Sequence, residues 1–223
     1  MGVLEIKRLH LARLSVSGGV EWPVHGFVVT HPKGAVLVDT GVGGPPEDLV
    51  HWRVVNRMVA EALADIDMTP GDIDLVINTH LHFDHCGQNA VFTHAACWVQ
   101  RTELERCKLE EPELYDWFDF MNGRFELLDG DAEVVPGLSI VTTPGHTSGH
   151  QSVVVEVGGE SGGTEVLIGD AAYTSAQYAR PGDDDLPAGQ AADLGSWRQS
   201  LGRIHSMAPA RVHFCHDTAV VAG

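Results

Sequence analysis

Thr79-His80-Leu81-His82-Phe83-Asp84-His85-Cys86-Gly87 packs four metal-ligating side chains, His80, His82, Asp84 and His85, into six consecutive positions directly after the apolar run Leu75-Val76-Ile77. Neutral imidazoles and carboxylates that converge on one point suit ions of intermediate softness such as Zn(II). If His80 and His82 continue an extended segment leaving a sheet, the period of two sends both to the same face, and Asp84 and His85 follow on the turn. One ion could take the first pair and a second ion the other. A lone histidine is more often a hydrogen-bonded packing residue, but a cluster this dense reads as a metal site.

Further candidates follow other apolar runs. His146 comes after Leu138-Ser139-Ile140-Val141, Asp170 after Val166-Leu167-Ile168-Gly169, and His216 after Val212-His213-Phe214-Cys215. Ligands at the ends of separate strands can meet at one edge of a sandwich. The remaining histidines, 10, 25, 31, 51, 94, 205 and 213, are left as surface or core residues.

The coarse pattern is mixed α/β. Leu4 to Leu14 reads as a strand, and Phe27 to Thr30 with Ala35 to Asp39 as a hairpin around His31-Pro32-Lys33-Gly34. Leu49 to Ala64 has helical apolar spacing, with Pro45, Pro46, Glu47 and Asp48 as its start. Trp98 and Val99 suggest a short strand, and Arg101 to Glu110 a helix with Thr102 and Glu105 as a capping box. Strands are expected at Leu138 to Thr142, Gln151 to Val157 and Glu165 to Ile168, the last two joined through the loop 158–163. A final helix near Leu194 to Met207 precedes a strand from Arg211 to Phe214. Strand groups each followed by helix fit two packed sheets with helices outside.

Composition narrows the function. At 223 residues and 43% hydrophobic, the chain can bury one sizeable core, and residues 1–223 are expected to form a single domain. A net charge of −17, with 14 Lys and Arg against 31 acidic residues, argues against a nucleic-acid partner. Cys86, Cys97, Cys107 and Cys215 form no CxxC pair; Cys86 and Cys215 abut candidate ligands in a way that suggests sulfur coordination, but the stronger expectation is that all four are small buried fillers of a reduced, cytoplasmic protein. The N-terminus shows no signal-peptide pattern, and no apolar run approaches the roughly 20 residues of a spanning helix, so no stable membrane association is expected. Gly41-Val42-Gly43-Gly44 lacks the third spaced glycine of a dinucleotide fingerprint, and Asp183-Asp184-Asp185 lacks the spacing of a calcium loop.

The set His80-Leu81-His82-Phe83-Asp84-His85, Pro144-Gly145-His146-Thr147-Ser148-Gly149-His150, Gly169-Asp170 and His216-Asp217 resembles the metallo-β-lactamase superfamily. Val36-Leu37-Val38-Asp39-Thr40-Gly41 matches that superfamily's first motif, so the resemblance covers nearly the whole chain. It implies an α/β fold, specifically the αββα sandwich of two mixed sheets with helices outside, and a dinuclear metal-dependent hydrolase. It also implies one ion on His80, His82 and His146, a second on Asp84, His85 and His216, and Asp170 bridging. Zn(II) is the first expectation, and the same donor set accepts Co(II), Mn(II) or Fe(II). Asp39 is expected to hold a ligand imidazole in its tautomer rather than to ligate, and His150 to act from behind the ligands or structurally.

Tyr173, three residues after Asp170, separates the branches: its phenol is placed to donate to a substrate carbonyl or to the oxyanion formed from it. Together with His82-Phe83-Asp84-His85, Gly145 to Ser152 and Asp170-Ala171-Ala172-Tyr173-Thr174, it resembles the N-acyl-homoserine lactonases, the quorum-quenching branch. That resemblance implies a small-molecule lactone as substrate, attack by a bridging hydroxide, assistance from Tyr173, and proton delivery to the leaving alkoxide by Asp84; relatives of this kind include homodimers. Glyoxalase-II-like thioesterases share the aspartate and the histidines and are the rival expectation, although they usually carry a helical C-terminal extension with basic residues, and this sequence stops soon after His216. Better-known β-lactamase branches carry Cys where Asp170 stands. A non-catalytic metal module is a third class; a diiron redox site would replace His82 with an acidic ligand, and a decayed enzyme would have lost a ligand. For an acyl pocket the candidates are Trp22, His25 and Phe27, with Trp117, Phe118, Phe120 and Met121.

Overall fold

In a computed structural model of the chain, residues 4–16, 19–118, 125–158, 162–180 and 189–222 are described. One sheet takes β1 (Glu5–Ser15), β2 (Glu21–His31), β3 (Gly34–Val38), β4 (Val55–Asn56), β5 (Leu75–Ile77), β6 (Ala96–Gln100) and β7 (Phe125–Leu128). The other takes β8 (Ala132–Val135), β9 (Leu138–Thr142), β10 (Gln151–Val157), β11 (Gly163–Leu167), β12 (Arg211–His213) and β13 (Val220–Val221). Their orders are β4-β1-β2-β3-β5-β6-β7 and β13-β12-β11-β10-β9-β8, and both mix parallel with antiparallel pairs. The helices are α1 (Pro46–His51), α2 (Val59–Ala64), α3 (Phe83–Cys86), α4 (Arg101–Glu110), α5 (Pro112–Phe118), α6 (Ser175–Ala179) and α7 (Leu194–Ser206).

Strand alternation builds the layers. Phe27, Val29, Val36, Val38 and Ile77 of the first sheet pack face to face on Leu138, Ile140, Val153, Val155 and Leu167 of the second. The intervening residues Leu9, Leu11, Val28, Leu37 and Val76 turn outward beneath Val59, Ala62 and Leu63 of α2. On the opposite surface, Val166, Val212 and Phe214 are covered by Trp197, Leu201 and Ile204 of α7. The αββα sandwich expected from the sequence is therefore the fold observed. Each fully buried aliphatic side chain contributes about 1.5–3 kcal/mol, whereas an exposed ion pair contributes about 0–1 kcal/mol, so the apolar layers set the frame. Among the described residues, no helix is long and apolar enough to cross a membrane.

Most expected elements lie within a few residues of their places, with two exceptions. The continuous helix expected over 49–64 is broken: α1 ends, Arg53 takes a positive φ of 44°, and Val55–Asn56 pairs with Arg13 and Ala12 of β1 before α2 begins. An unbroken helix would leave that edge of β1 unpaired. The capping box at Thr102 and Glu105 does not form, because α4 follows β6 without a loop and Gln100 is its N-cap. The strands β7 and β8 were not legible in the pattern, and the expected loop 158–163 and the Asp183–Asp185 run lie wholly or partly outside the described residues.

Topology directs five loops to one end of the sandwich. β3 and β5 are parallel, as are β11 and β12, while β9 and β11 share a direction because each is antiparallel to β10. The segments bearing Asp39, His80 and His85 therefore leave one sheet beside those bearing His146, Asp170 and His216. The loop after β3 is clamped against α3: Thr40 N–H donates to His85 O at 2.7 Å and Gly87 N–H to Gly41 O at 2.9 Å. A Cβ on Gly87 would lie 1.8 Å from the Gly43 nitrogen, so this backbone contact accounts for Gly43, while Gly41 and Gly44 take positive φ of 90° and 157°; together these explain the glycines that superficially suggest a nucleotide loop. Gly87→Ala should therefore lower both thermal stability and metal retention; thermal unfolding together with metal counts per chain tests this, and unchanged values in both would show that the loops tolerate separation.

Candidate metal centre

Two nests of donor atoms lie at that edge. In the first, His80 Nε2, His82 Nδ1 and His146 Nε2 face one another at 2.9, 3.1 and 3.2 Å. In the second, His85 Nε2 and His216 Nε2 each lie 3.4 Å from Asp170 Oδ1, and Asp84 Oδ2 lies 3.8 and 3.5 Å from the same two nitrogens. Asp170 stands between the nests, its Oδ2 being 3.4 Å from His146 Nε2 and 3.9 Å from His80 Nε2. The structure thus brings together all seven residues that the sequence offered as ligands.

The chain fixes which nitrogen of each ring faces inward. Thr79 Oγ donates to Asp39 Oδ2 at 2.8 Å and so accepts from His80 Nδ1 at 3.1 Å, leaving Nε2 as the bare nitrogen. His85 Nδ1 donates to Asp39 Oδ2 at 2.8 Å, His146 Nδ1 to Gln190 O at 3.1 Å and His216 Nδ1 to Pro23 O at 2.9 Å. His82 is turned the other way, with Nε2 3.8 Å from Glu111. Asp39 therefore orients ligands, as expected. His150 accepts the Asp170 backbone N–H through Nε2 at 2.9 Å and meets Thr143 through Nδ1, which places it behind the centre.

Burial pushes His80, His82 and His146 below the ordinary imidazole range, and neighbouring rings add to this at His80 and His82. Burial also drives His150 down to about 3, consistent with its accepting role. At Asp170, burial acts to raise the pKa, but His85 and His216 outweigh it and hold the carboxyl well below its usual range. Burial pushes the Tyr173 phenol upward, with Asp170 and Asp84 adding to it, so the hydroxyl keeps its proton.

These residues fit a pair of divalent cations. His85 Nε2 and Asp170 Oδ1 are buried without a hydrogen-bond partner, and in the first nest the unprotonated Nε2 atoms of His80 and His146 face each other at 3.2 Å with no proton between them. Such orphaned donors are costly unless a cation compensates them.

Above the centre opens a cleft of about 260 Å³. Trp22, Trp52, Phe83, Leu14 and Val16 form an apolar wall; Tyr173, Asp84, Asp48 and Glu111 line it too. The Tyr173 ring lies 5.6 Å from that of His146, 5.4 Å from His216 and 4.9 Å from Trp22. A capping box at the start of α6, in which Gln177 Oε1 accepts from Thr174 N–H at 3.3 Å, sets that loop, and the same oxygen accepts from Tyr173 N–H at 2.7 Å. Of the residues expected to line an acyl pocket, Trp22 lines this cleft. His25 and Phe27 are buried in the interior, and Trp117 is half exposed with its indole donating to Gly87 O. Phe120 and Met121, and the side chain of Phe118, lie outside the described residues.

Sequence reasoning missed two supports. Glu103, fully buried, accepts from Leu81 N–H, Arg106, Thr147 and Gly149 N–H, tying α4 to both histidine loops. Gln190 donates to Asp170 O at 2.6 Å and accepts from His146. A Glu in a charged helix and a Gln in a polar loop carry no local signal of such roles.

The family described as the metallo-beta-lactamase superfamily matches residues 19–216. An N-acyl homoserine lactonase of Bacillus cereus is 33% identical over 181 residues, covering 74% of this chain and 68% of that protein. The N-acyl homoserine lactonase AttM of Azorhizobium caulinodans is 29% identical over 243 residues, covering 94% and 88%. Among solved structures, an N-acyl homoserine lactone hydrolase with N-hexanoyl-L-homoserine bound at its catalytic metal centre is similar with a TM-score of 0.77 at 28% identity, covering 98% and 95% of the two chains. A quorum-quenching N-acyl homoserine lactone lactonase gives 0.78 at 29% identity, covering 98% and 94%.

If Asp39 orients the ligands, Asp39→Asn should weaken metal retention about 10–100-fold, the usual cost of losing such a support. Competition with a chelator measures this, and wild-type retention would remove the role.

Proposed function

Because this chain belongs to the metallo-β-lactamase superfamily and is a metal-dependent hydrolase, we propose that it opens the lactone ring of N-acyl-homoserine lactones at a dinuclear centre, with Zn(II) as the first expected metal. His80, His82 and His146 would hold one ion, Asp84, His85 and His216 the other, with Asp170 between them. The observation that carries the substrate class is the cleft: an aromatic and aliphatic wall leads to the centre, and among the described residues lining it there is no Lys or Arg. A neutral acyl lactone suits that surface. A glutathione thioester, which carries carboxylates, would meet Asp48 and Glu111 and, among the described residues lining the cleft, no Lys or Arg to pair with them.

Two divalent cations bound there would acidify water and polarise an ester carbonyl. The Tyr173 phenol donates its proton in a hydrogen bond to the carbonyl oxygen, an interaction that strengthens as charge gathers there. A water oxygen adds to the carbonyl carbon and the water's proton passes to the Asp84 carboxylate, which gives it to the ring oxygen as the ring C–O bond breaks, so the product leaves with a free hydroxyl and a carboxylate. Trp22, Trp52 and Phe83 receive the acyl chain. Each methylene they bury contributes roughly 0.8 kcal/mol, about fourfold in binding.

The test begins with metal counts on the purified protein, followed on the same sample by pH-stat assays of acyl-homoserine lactones, simple γ-lactones and S-lactoylglutathione. About two metals per chain with acyl-homoserine lactones preferred supports the proposal; preference for the thioester overturns the substrate, and no bound metal overturns the whole. Tyr173→Phe should slow lactone opening about 10–100-fold while sparing metal content. Asp84→Asn should cost about 10²–10⁴-fold, and full activity in it would remove the proton-delivery role.

A further inference from the structure

Cys215 directly precedes His216, and its thiol sits beside the second nest. Its Sγ, an Asp170 carboxylate oxygen and ring nitrogens of His85 and His216 all lie within 4.8 Å of one another. All four residues are buried. Two of these groups independently point to a ligand: His85 Nε2 and Asp170 Oδ1 are buried, have no hydrogen-bond partner, and face the shared space. The Cys215 thiol makes a weak donation to His25 O at 3.3 Å, which costs little to give up when its proton leaves. The other thiols are engaged away from any such group: Cys86 with His82 O at 3.2 Å, Cys97 with Asn78 Oδ1 at 2.8 Å, and Cys107 with Leu81 O at 3.8 Å.

We propose that Cys215 supplies a sulfur ligand to the second metal position, joining Asp84, His85 and His216 there, with Asp170 between the two positions. This rests on the dinuclear reading above and adds to it a difference between the two positions. The first offers three imidazoles, while the second offers a soft donor as well as hard ones, and so favours Zn(II) or Co(II) over Mn(II). On binding, the S–H bond gives its proton to solvent and the sulfur electron pair goes to the ion.

The experiment uses the full chain, stripped by a chelator and reloaded with Co(II), with cobalt counted per chain. The expected result is two cobalt ions and a sulfur-to-cobalt charge-transfer band in the near ultraviolet, lost in Cys215→Ala and retained in Cys86→Ser. Two bound cobalt ions without the band in the wild type, or a band that survives in Cys215→Ala, overturns the sulfur ligand and leaves the dinuclear centre standing. Fewer than two ions in the wild type overturns both. If Cys215→Ala does not fold, the wild-type spectrum still decides: a band that persists in Cys86→Ser, Cys97→Ser and Cys107→Ser taken singly assigns it to Cys215, and loss of the band in any one of them overturns the proposal.

Discussion

The carboxylate of Asp39 is the contact on which the centre depends. It stands at the end of β3 with a positive φ of 58°, a conformation that Asp tolerates better than most residues, and this turns its side chain across to the end of β5. There it accepts from Thr79 N–H, Thr79 Oγ and His85 Nδ1 at 2.8 Å each. One carboxylate thereby fixes the ring of His85 directly and that of His80 through Thr79. A buried anion is tolerable in this place because every bond it makes is charge-assisted.

Around that contact, the centre is held from several directions. Glu103 braces the loops after β5 and β9 from α4, Gln190 joins the His146 and Asp170 segments, and Trp197 of α7 donates to Ala171 O at 2.7 Å. Each support restrains backbone or a ring rather than touching the inward nitrogens. The polar edge therefore keeps its donor atoms bare. Buried and unpaired, these atoms are unfavourable in themselves, and the apolar contact between the sheets supplies the rigidity that keeps them in place.

The cleft follows from the same division. Its apolar wall is assembled from β1, β2 and the segment around α1, with Phe83 from the first turn of α3, while its polar lining is drawn from Asp48 of α1, Asp84 of α3, Glu111 between α4 and α5, and Tyr173 of the loop after β11. Apolar and polar linings thus meet at one rim, and α3 contributes to both through Phe83 and Asp84. The break between α1 and α2 bears on this directly: it carries Trp52 to the wall and leaves Val55–Asn56 to protect the edge of β1.

By itself, the sequence determined the donor set and the layered fold. Ligand types crowded between 80 and 85, and single candidates after apolar runs, are local patterns, and alternation along strands fixes which side chains face a core. Tertiary structure decided the ring tautomers and the supports, because these depend on residues such as Glu103, Gln190 and Pro23 that are remote in the chain and carry no periodic signal. It also decided where the helical pattern over 49–64 would break, since the unpaired edge of β1 competes with local helix propensity and wins through hydrogen bonds that no local window contains. The environment of Cys215 is of the same kind: its sequence neighbour His216 leaves both a sulfur ligand and a buried filler open, and only the fold sets its sulfur near His85 and Asp170.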